Sequence, residues 1–88
     1  MKKIYEVILE PRAERELDKV QGDIFPKIDK AILALSKNPR PFGVKKLDEK
    51  LHRFRVQDWR VIYAILDKEA KILILRIVRR NEKTYKEL

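Results

Sequence analysis

The sequence predicts an α+β fold of two layers: an N-terminal strand and a helical hairpin packed on an antiparallel sheet of about four strands, in the order β-α-α-β-β-β. Three observations lead there. β-Branched and aromatic residues crowd positions 2–9, as strands favour. Apolar residues recur at helical spacing between Ala13 and Leu35. From His52 onward, alternating or apolar runs are separated by short polar turns, the signature of a meander.

The elements follow in order. Lys2 to Leu9 reads as the first strand. Pro11 suits the first turn of a helix, where its missing N–H costs nothing. Ala13, Leu17 and Val20 lie on one face of that helix, and Gly22 is a reasonable stop. Asp23 is placed to cap a second helix, with Pro26 tolerated in its opening turn. Ile24, Ile28, Ile32 and Leu35 form its apolar stripe, and Asn38-Pro39 ends it. Two helices joined by about three residues form an antiparallel hairpin. Asp48-Glu49-Lys50 then makes a polar turn between Leu47 and Leu51. The run His52 to Val56 alternates, setting Arg53 and Arg55 on one face and Phe54 and Val56 on the other. Gln57-Asp58 is a two-residue turn, Trp59 to Leu66 the next strand, and Asp67-Lys68-Glu69 another turn. Ile72 to Val78 is apolar except for Arg76, as expected of a central strand covered on both faces. Asn81 to Leu88 is a polar tail.

Composition narrows the function. Eighty-eight residues make one domain, 1–88. The chain has no cysteine, which excludes disulfides and thiolate chemistry and fits a cytoplasmic protein. Glu6 and Glu10 interrupt any signal-like apolar stretch, and the longest apolar run, Val61 to Leu66, is too short to span a bilayer, so no membrane role is expected. The net charge is +8, and its distribution is uneven. Residues 1–36 carry seven basic and seven acidic side chains, and residues 37–88 carry fifteen and seven. Such asymmetry points to a face for a polyanion. The plainer explanation is a solvated Lys/Glu-rich surface of the kind thermophilic proteins favour.

Familiar catalytic chemistries are largely closed. One histidine and no cysteine build neither a paired-histidine nuclease nor an ordinary zinc site. Ser36 and Thr84 are the only aliphatic hydroxyls and lack a histidine base. Two isolated glycines give no phosphate loop. The carboxylates of the basic part sit mostly at turns, so neither a metal nor any other cofactor is expected. Catalysis would rest on Arg, Lys and Tyr, with His52 as a possible addition.

Those residues form a pattern. Arg53 and Arg55 share a strand face, and the turn at 57–58 brings Arg60 near Arg55. Arg79 and Arg80 end the last strand, with Tyr85 beyond. Arginine suits phosphate because its planar fork donates paired hydrogen bonds and never deprotonates. Such donors would stabilise charge developing on a pentacovalent phosphorane. A tyrosine beside guanidinium groups ionises more easily, and could take the proton of a ribose 2′-hydroxyl attacking the adjacent phosphate. Lys45, Lys46, Lys83 and Lys86 are further phosphate partners. Against this stands the bland account, a solvated strand face and a tyrosine used for packing.

The chain resembles the RelE/ParE superfamily of bacterial and archaeal type II toxins. The resemblance runs from Ile4-Tyr5-Glu6-Val7 through Pro11 to Leu17, Lys46-Leu47, Arg53 to Tyr63, and Ile74 to Arg80 with Tyr85. Its most specific part is RFRVQDWRVIYAI. It implies a metal-independent endoribonuclease that cuts mRNA in the ribosomal A site, with Arg53, Arg55, Arg60, Arg80 and Tyr85 catalytic. Arg60 and Arg80 would hold the scissile phosphate, Arg79 being an equal candidate, and Tyr85 would act as base or stacking partner. Lys45, Lys46, Arg79 and Lys83 would bind RNA. It also implies a RelB-like antitoxin that neutralises the chain, and contact with operator DNA only through that complex. One departure stands out: both alternating positions are arginine where RelE-type enzymes often carry lysine, and arginine is a poor acid near neutral pH. Two alternatives remain, a ParE-like inhibitor of DNA gyrase and a non-catalytic basic RNA-binding module.

Overall fold

The computed structural model describes residues 3–79; Arg80, Lys83, Tyr85 and Lys86 lie outside the described residues. The elements are β1 (Glu6–Leu9), α1 (Pro11–Asp18), α2 (Ile24–Ala34), β2 (Lys45–Lys46), β3 (Leu51–Val56), β4 (Trp59–Leu66) and β5 (Lys71–Arg79). The two-layer α+β architecture is as the pattern predicts, with two corrections. The sheet has five strands in the order β1-β5-β4-β3-β2, and it is mixed: β1 runs parallel to β5, from Glu6 opposite Lys71 to Leu9 opposite Ile74.

The chain path explains both differences. Just past α2, the Ser36 carbonyl accepts the Tyr5 N–H at 2.8 Å, so the helices return the chain to the end of the sheet where β1 begins. The meander β3-β4-β5 starts from that end. Having an odd number of strands, it finishes in the direction of β1. The extra strand β2 is a two-residue stub pairing Lys45 with Arg53 and Lys46 with His52. It is too short and too polar to show an alternating pattern.

The helices match their periodicity. Ala13, Leu17 and Val20 are buried, as are Ile28, Ile32 and Leu35. They pack against Phe54, Val61, Tyr63 and Ile65 and against Ile72, Ile74 and Ile77 of β5. Each fully buried isoleucine removes enough apolar surface from water to contribute about 2 kcal/mol. The expected cap fails in detail. Asp23 occupies the N-cap of α2 in helical conformation (φ −67°, ψ −17°), where its carboxylate makes no capping hydrogen bond. A capping side chain needs an extended backbone to reach back to the first free N–H groups.

Two polar devices complete the frame. Because β1 ends at Leu9, the edge of β5 away from β4 has no strand beside it past Ile74. Glu16 of α1 takes that place: its carboxylate accepts the Ile77 N–H at 2.8 Å and Arg76 Nε at 3.1 Å. Arg76, the one charge in an apolar strand, sits beside a bulge at which the β4–β5 register shifts. At the opposite end of β5, Asp67 gathers three segments. Its carboxylate accepts from Tyr5 Oη at 2.6 Å and Arg40 Nη2 at 2.9 Å, and its carbonyl accepts from Lys3 Nζ. Arg40 and Tyr5 hold the Asp67 carboxyl below the usual range, and that carboxylate raises the Tyr5 hydroxyl in turn. Among the described residues no helix is long and apolar enough to cross a membrane.

Candidate nucleic-acid interface

Strand β3 divides as its alternation requires. His52 and Phe54 point into the helix layer and are buried, leaving Arg53 and Arg55 on the other face. The tight turn at Gln57-Asp58 fixes the register, so Arg55 pairs directly with Arg60 and Arg53 with Ile62. Directly paired residues share a face about 5 Å apart. Lys45, the partner of Arg53 in β2, belongs to the same face. The sheet therefore gathers Lys45, Arg53, Arg55 and Arg60 across three strands.

The charges are not balanced locally. No carboxylate of a described residue pairs with Lys45, Arg53 or Arg55; the described ion pairs lie elsewhere, on Glu16 and Asp67. Like charges directly opposite on neighbouring strands destabilise a sheet. The Arg55–Arg60 pair sets two guanidinium groups side by side on one face of the sheet. Arg60 differs from its neighbours in being buried, at 2% exposure. A guanidinium stays charged even there, and its field is stronger where water is excluded.

Other sequence candidates among the described residues fall outside this face. Lys46 pairs with His52 and Arg79 with Trp59, which puts both on the helix side of the sheet. Arg80, Lys83, Tyr85 and Lys86 lie outside the described residues. His52 is 3% exposed, its ring 5.7 Å from that of Tyr63 and its Nδ1 3.0 Å from the Lys50 carbonyl. It is a core residue on the face away from Arg53 and Arg55, not an acid for chemistry there. Tyr63 donates to the Pro39 carbonyl at 2.7 Å, and burial pushes its phenol up to about 12. Among the described residues no three histidines or carboxylates gather to hold a metal.

The sequence pattern did not reveal a groove at the edge of β3. It has a volume of about 380 Å³, an apolar floor of Ala31, Ala34, Leu35 and Phe54, and a rim of Lys45, Arg53 and Arg55. Phe42 beside it is fully exposed. The one available signal was that aromatic, set between Pro41 and Gly43 in a polar loop. Leu47 N–H donates to the Leu51 carbonyl at 2.8 Å, so the backbone groups of Leu51, Arg53 and Arg55 point toward β2. Because β2 reaches only as far as Arg53, the backbone at Arg55 opens into the groove.

Comparison with known proteins gives this basic, arginine-rich sheet face backed by two helices a family. Residues 7–84 match the family model described as the ParE toxin of the type II toxin–antitoxin system parDE. The chain belongs to this family of type II toxins, within the RelE/ParE superfamily. Among solved structures, the archaeal RelE–RelB complex from Pyrococcus horikoshii OT3 matches with a TM-score of 0.81 and 27% identity, over 93% of this chain and 99% of that one. The RelBE2 toxin–antitoxin complex from Mycobacterium tuberculosis matches with a TM-score of 0.78 and 24% identity, over 93% and 98%. The isolated E. coli RelE toxin matches with a TM-score of 0.77 and 16% identity, over 94% and 93%. The last two likenesses concern the fold alone. Comparison with curated protein sequences gives no match.

Proposed function

We propose that this type II toxin is a ribosome-dependent endoribonuclease that cleaves mRNA in the A site and so halts translation in the cytoplasm. The observation that carries the proposal is the face of Lys45, Arg53, Arg55 and Arg60, which gathers four cations across three strands and whose Lys45, Arg53 and Arg55 have no carboxylate partner among the described residues. A phosphodiester supplies the missing negative charge. The 2′-oxygen of the substrate ribose attacks the adjacent phosphorus while the bond from phosphorus to the 5′-oxygen breaks. Tyr85 takes the 2′-hydroxyl proton. Arg53 and Arg55, with Arg60 beneath and Arg80 beyond β5, stabilise the phosphorane charge. Arginine contributes charge rather than a proton, so the leaving 5′-oxygen takes its proton from water or from the ribosome. The ribosome also aligns the message, which is worth several kcal/mol, so free RNA is cut poorly. Lys46, Arg79 and Lys83 also bind RNA.

The groove at the β3 edge fits a neutralising antitoxin. An extended segment laid along it extends the sheet beyond Arg53 through the backbone of Arg55. Its apolar side chains meet Ala31, Ala34 and Leu35, and its acidic ones meet Lys45, Arg53 and Arg55. This one segment would cover the apolar floor and discharge the basic face. The resulting complex, rather than the toxin alone, contacts operator DNA.

A gyrase-directed activity is the second reading, favoured by the ParE description of the matching family. The purified chain added to a coupled cell-free translation reaction, with a parallel gyrase supercoiling reaction, tests both. Translation arrest with normal supercoiling supports the nuclease. Trapped gyrase–DNA complexes with normal translation overturn it. Inhibition of neither leaves a basic module that binds RNA without cutting it.

A further inference from the structure

A second cavity lies around the rim of the basic face, on the helix side of the sheet. Lys19, Gln21, Gln57, Asp58, Trp59 and Arg79 line a polar cavity of about 470 Å³, large enough for a small ligand. Trp59 and Arg79 are cross-strand partners there. Trp59 is half-buried: part of its ring packs on the core and part is left to the cavity.

The inventory of this cavity departs from that of the chain. The protein has one tryptophan and two glutamines, Gln21 and Gln57, and all three line it. Elsewhere the polar surface is built almost wholly of Lys, Arg, Glu and Asp. Neutral amides that both donate and accept are the groups that read a nucleobase edge. An indole is the strongest stacking platform for a base, and stacking tolerates any base. Lys19 and Arg79 supply charge for a phosphate, and Asp58 is an acceptor for an exocyclic amine. Gln57 also sits at φ 55°, a left-handed conformation that glycine adopts without the cost other residues bear. A side chain is kept there where the turn alone favours none.

The cavity continues the basic face. Trp59 adjoins Arg60 in sequence, and the Gln57-Asp58 turn separates Arg55 from it by a few residues. A single strand leaving the Arg55–Arg60 end of that face crosses the turn and arrives at Trp59. We infer that this cavity binds one unpaired RNA nucleotide flanking the scissile phosphate. Its base stacks on Trp59 and is read by Gln21 and Gln57, which makes these residues the determinants of base preference. The inference rests on the RNA-directed reading above.

Because Trp59 is the only tryptophan, intrinsic fluorescence of the purified chain reports this cavity alone. The probes are ribotrinucleotides of each single base, together with an abasic ribose-phosphate trimer. Saturable quenching by at least one base-containing trimer, at least tenfold tighter than by the abasic trimer, is expected. Lys19→Glu weakens it tenfold or more. Gln57→Gly, which relieves the turn and so preserves folding, changes the order of preference among the four bases. Absence of saturable quenching, equal response to the abasic trimer, or an unchanged preference order in Gln57→Gly overturns the inference. The outcome is separable from the activity itself. Cleavage on the ribosome without quenching removes this site and leaves the nuclease. Base-selective quenching without cleavage keeps the site and removes the nuclease.

Discussion

Arg55 and Arg60 face each other across the β3–β4 ladder, and their substitution separates folding from function. Arg55→Ala removes one like-charge contact from the sheet, so thermal melting should show stability unchanged or raised by a few tenths of a kcal/mol. Ribosome-dependent cleavage by the same variant should fall about 100-fold, the usual loss for one donor to a developing oxyanion. A loss of folding in step with activity would make Arg55 merely structural. Tyr85→Phe should lower cleavage about 100-fold or more, as removal of a general base does, while leaving gyrase untouched. Glu16 is the opposite case, a charge that serves the fold. It satisfies the Ile77 N–H and Arg76 where β5 runs past the end of β1, with its side chain only 21% exposed. Glu16→Ala should cost about 2–3 kcal/mol by urea denaturation, since hydrogen bonds to a charged group are strong ones.

At the scale of elements, the sequence was legible where burial enforces a period. The faces of β3 follow from alternation, the bounds of β4 from the polar turns on either side of an apolar run, and the α1 and α2 stripes from helical spacing. What stayed hidden depends on contacts between distant residues. β2 is two lysines whose strand character comes wholly from Arg53 and His52. The parallel pairing of β1 depends on where α2 delivers the chain, which Ser36 and Tyr5 decide. The burial of Arg60 has no signal in an alternating pattern, and the groove needed α2 and β3 together. Asp67 and Tyr63 bind the loop before β2 to the sheet, and both titrate. The folded Asp67 carboxyl lies below its ordinary value near 4, so its stabilisation is complete above that pH and fades as acid drives it lower. The Tyr63 phenol is raised to about 12, so its contribution holds below pH about 10 and fades between there and 12. Urea midpoints across pH should therefore drop at both ends. Asp67→Asn should flatten the acid limb, and Tyr63→Phe the alkaline limb. For the groove, Ala34→Glu sets a negative charge on the proposed path of an acidic antitoxin segment. Antitoxin affinity should fall tenfold or more by calorimetry while toxicity persists; undiminished affinity would place the antitoxin elsewhere.

Across the whole molecule, described acidic residues of the C-terminal part are spent on turns and anchors, with Asp48 holding the Lys50 and Leu51 N–H groups and Asp67 holding Arg40. Lys45, Arg53 and Arg55 of the basic face have no carboxylate of a described residue beside them. This division accounts for an excess of positive charge confined to residues 37–88. The family and fold fix a type II toxin, and the face is suited to a phosphodiester. The most direct test of that chemistry is to identify the RNA ends made when the purified chain acts on a message held by programmed ribosomes. Attack by the 2′-oxygen leaves a 2′,3′-cyclic phosphate and a 5′-hydroxyl, with cuts inside the A-site codon and none on free message. A 3′-hydroxyl with a 5′-phosphate, or an intact message beside inhibited gyrase, would contradict the account.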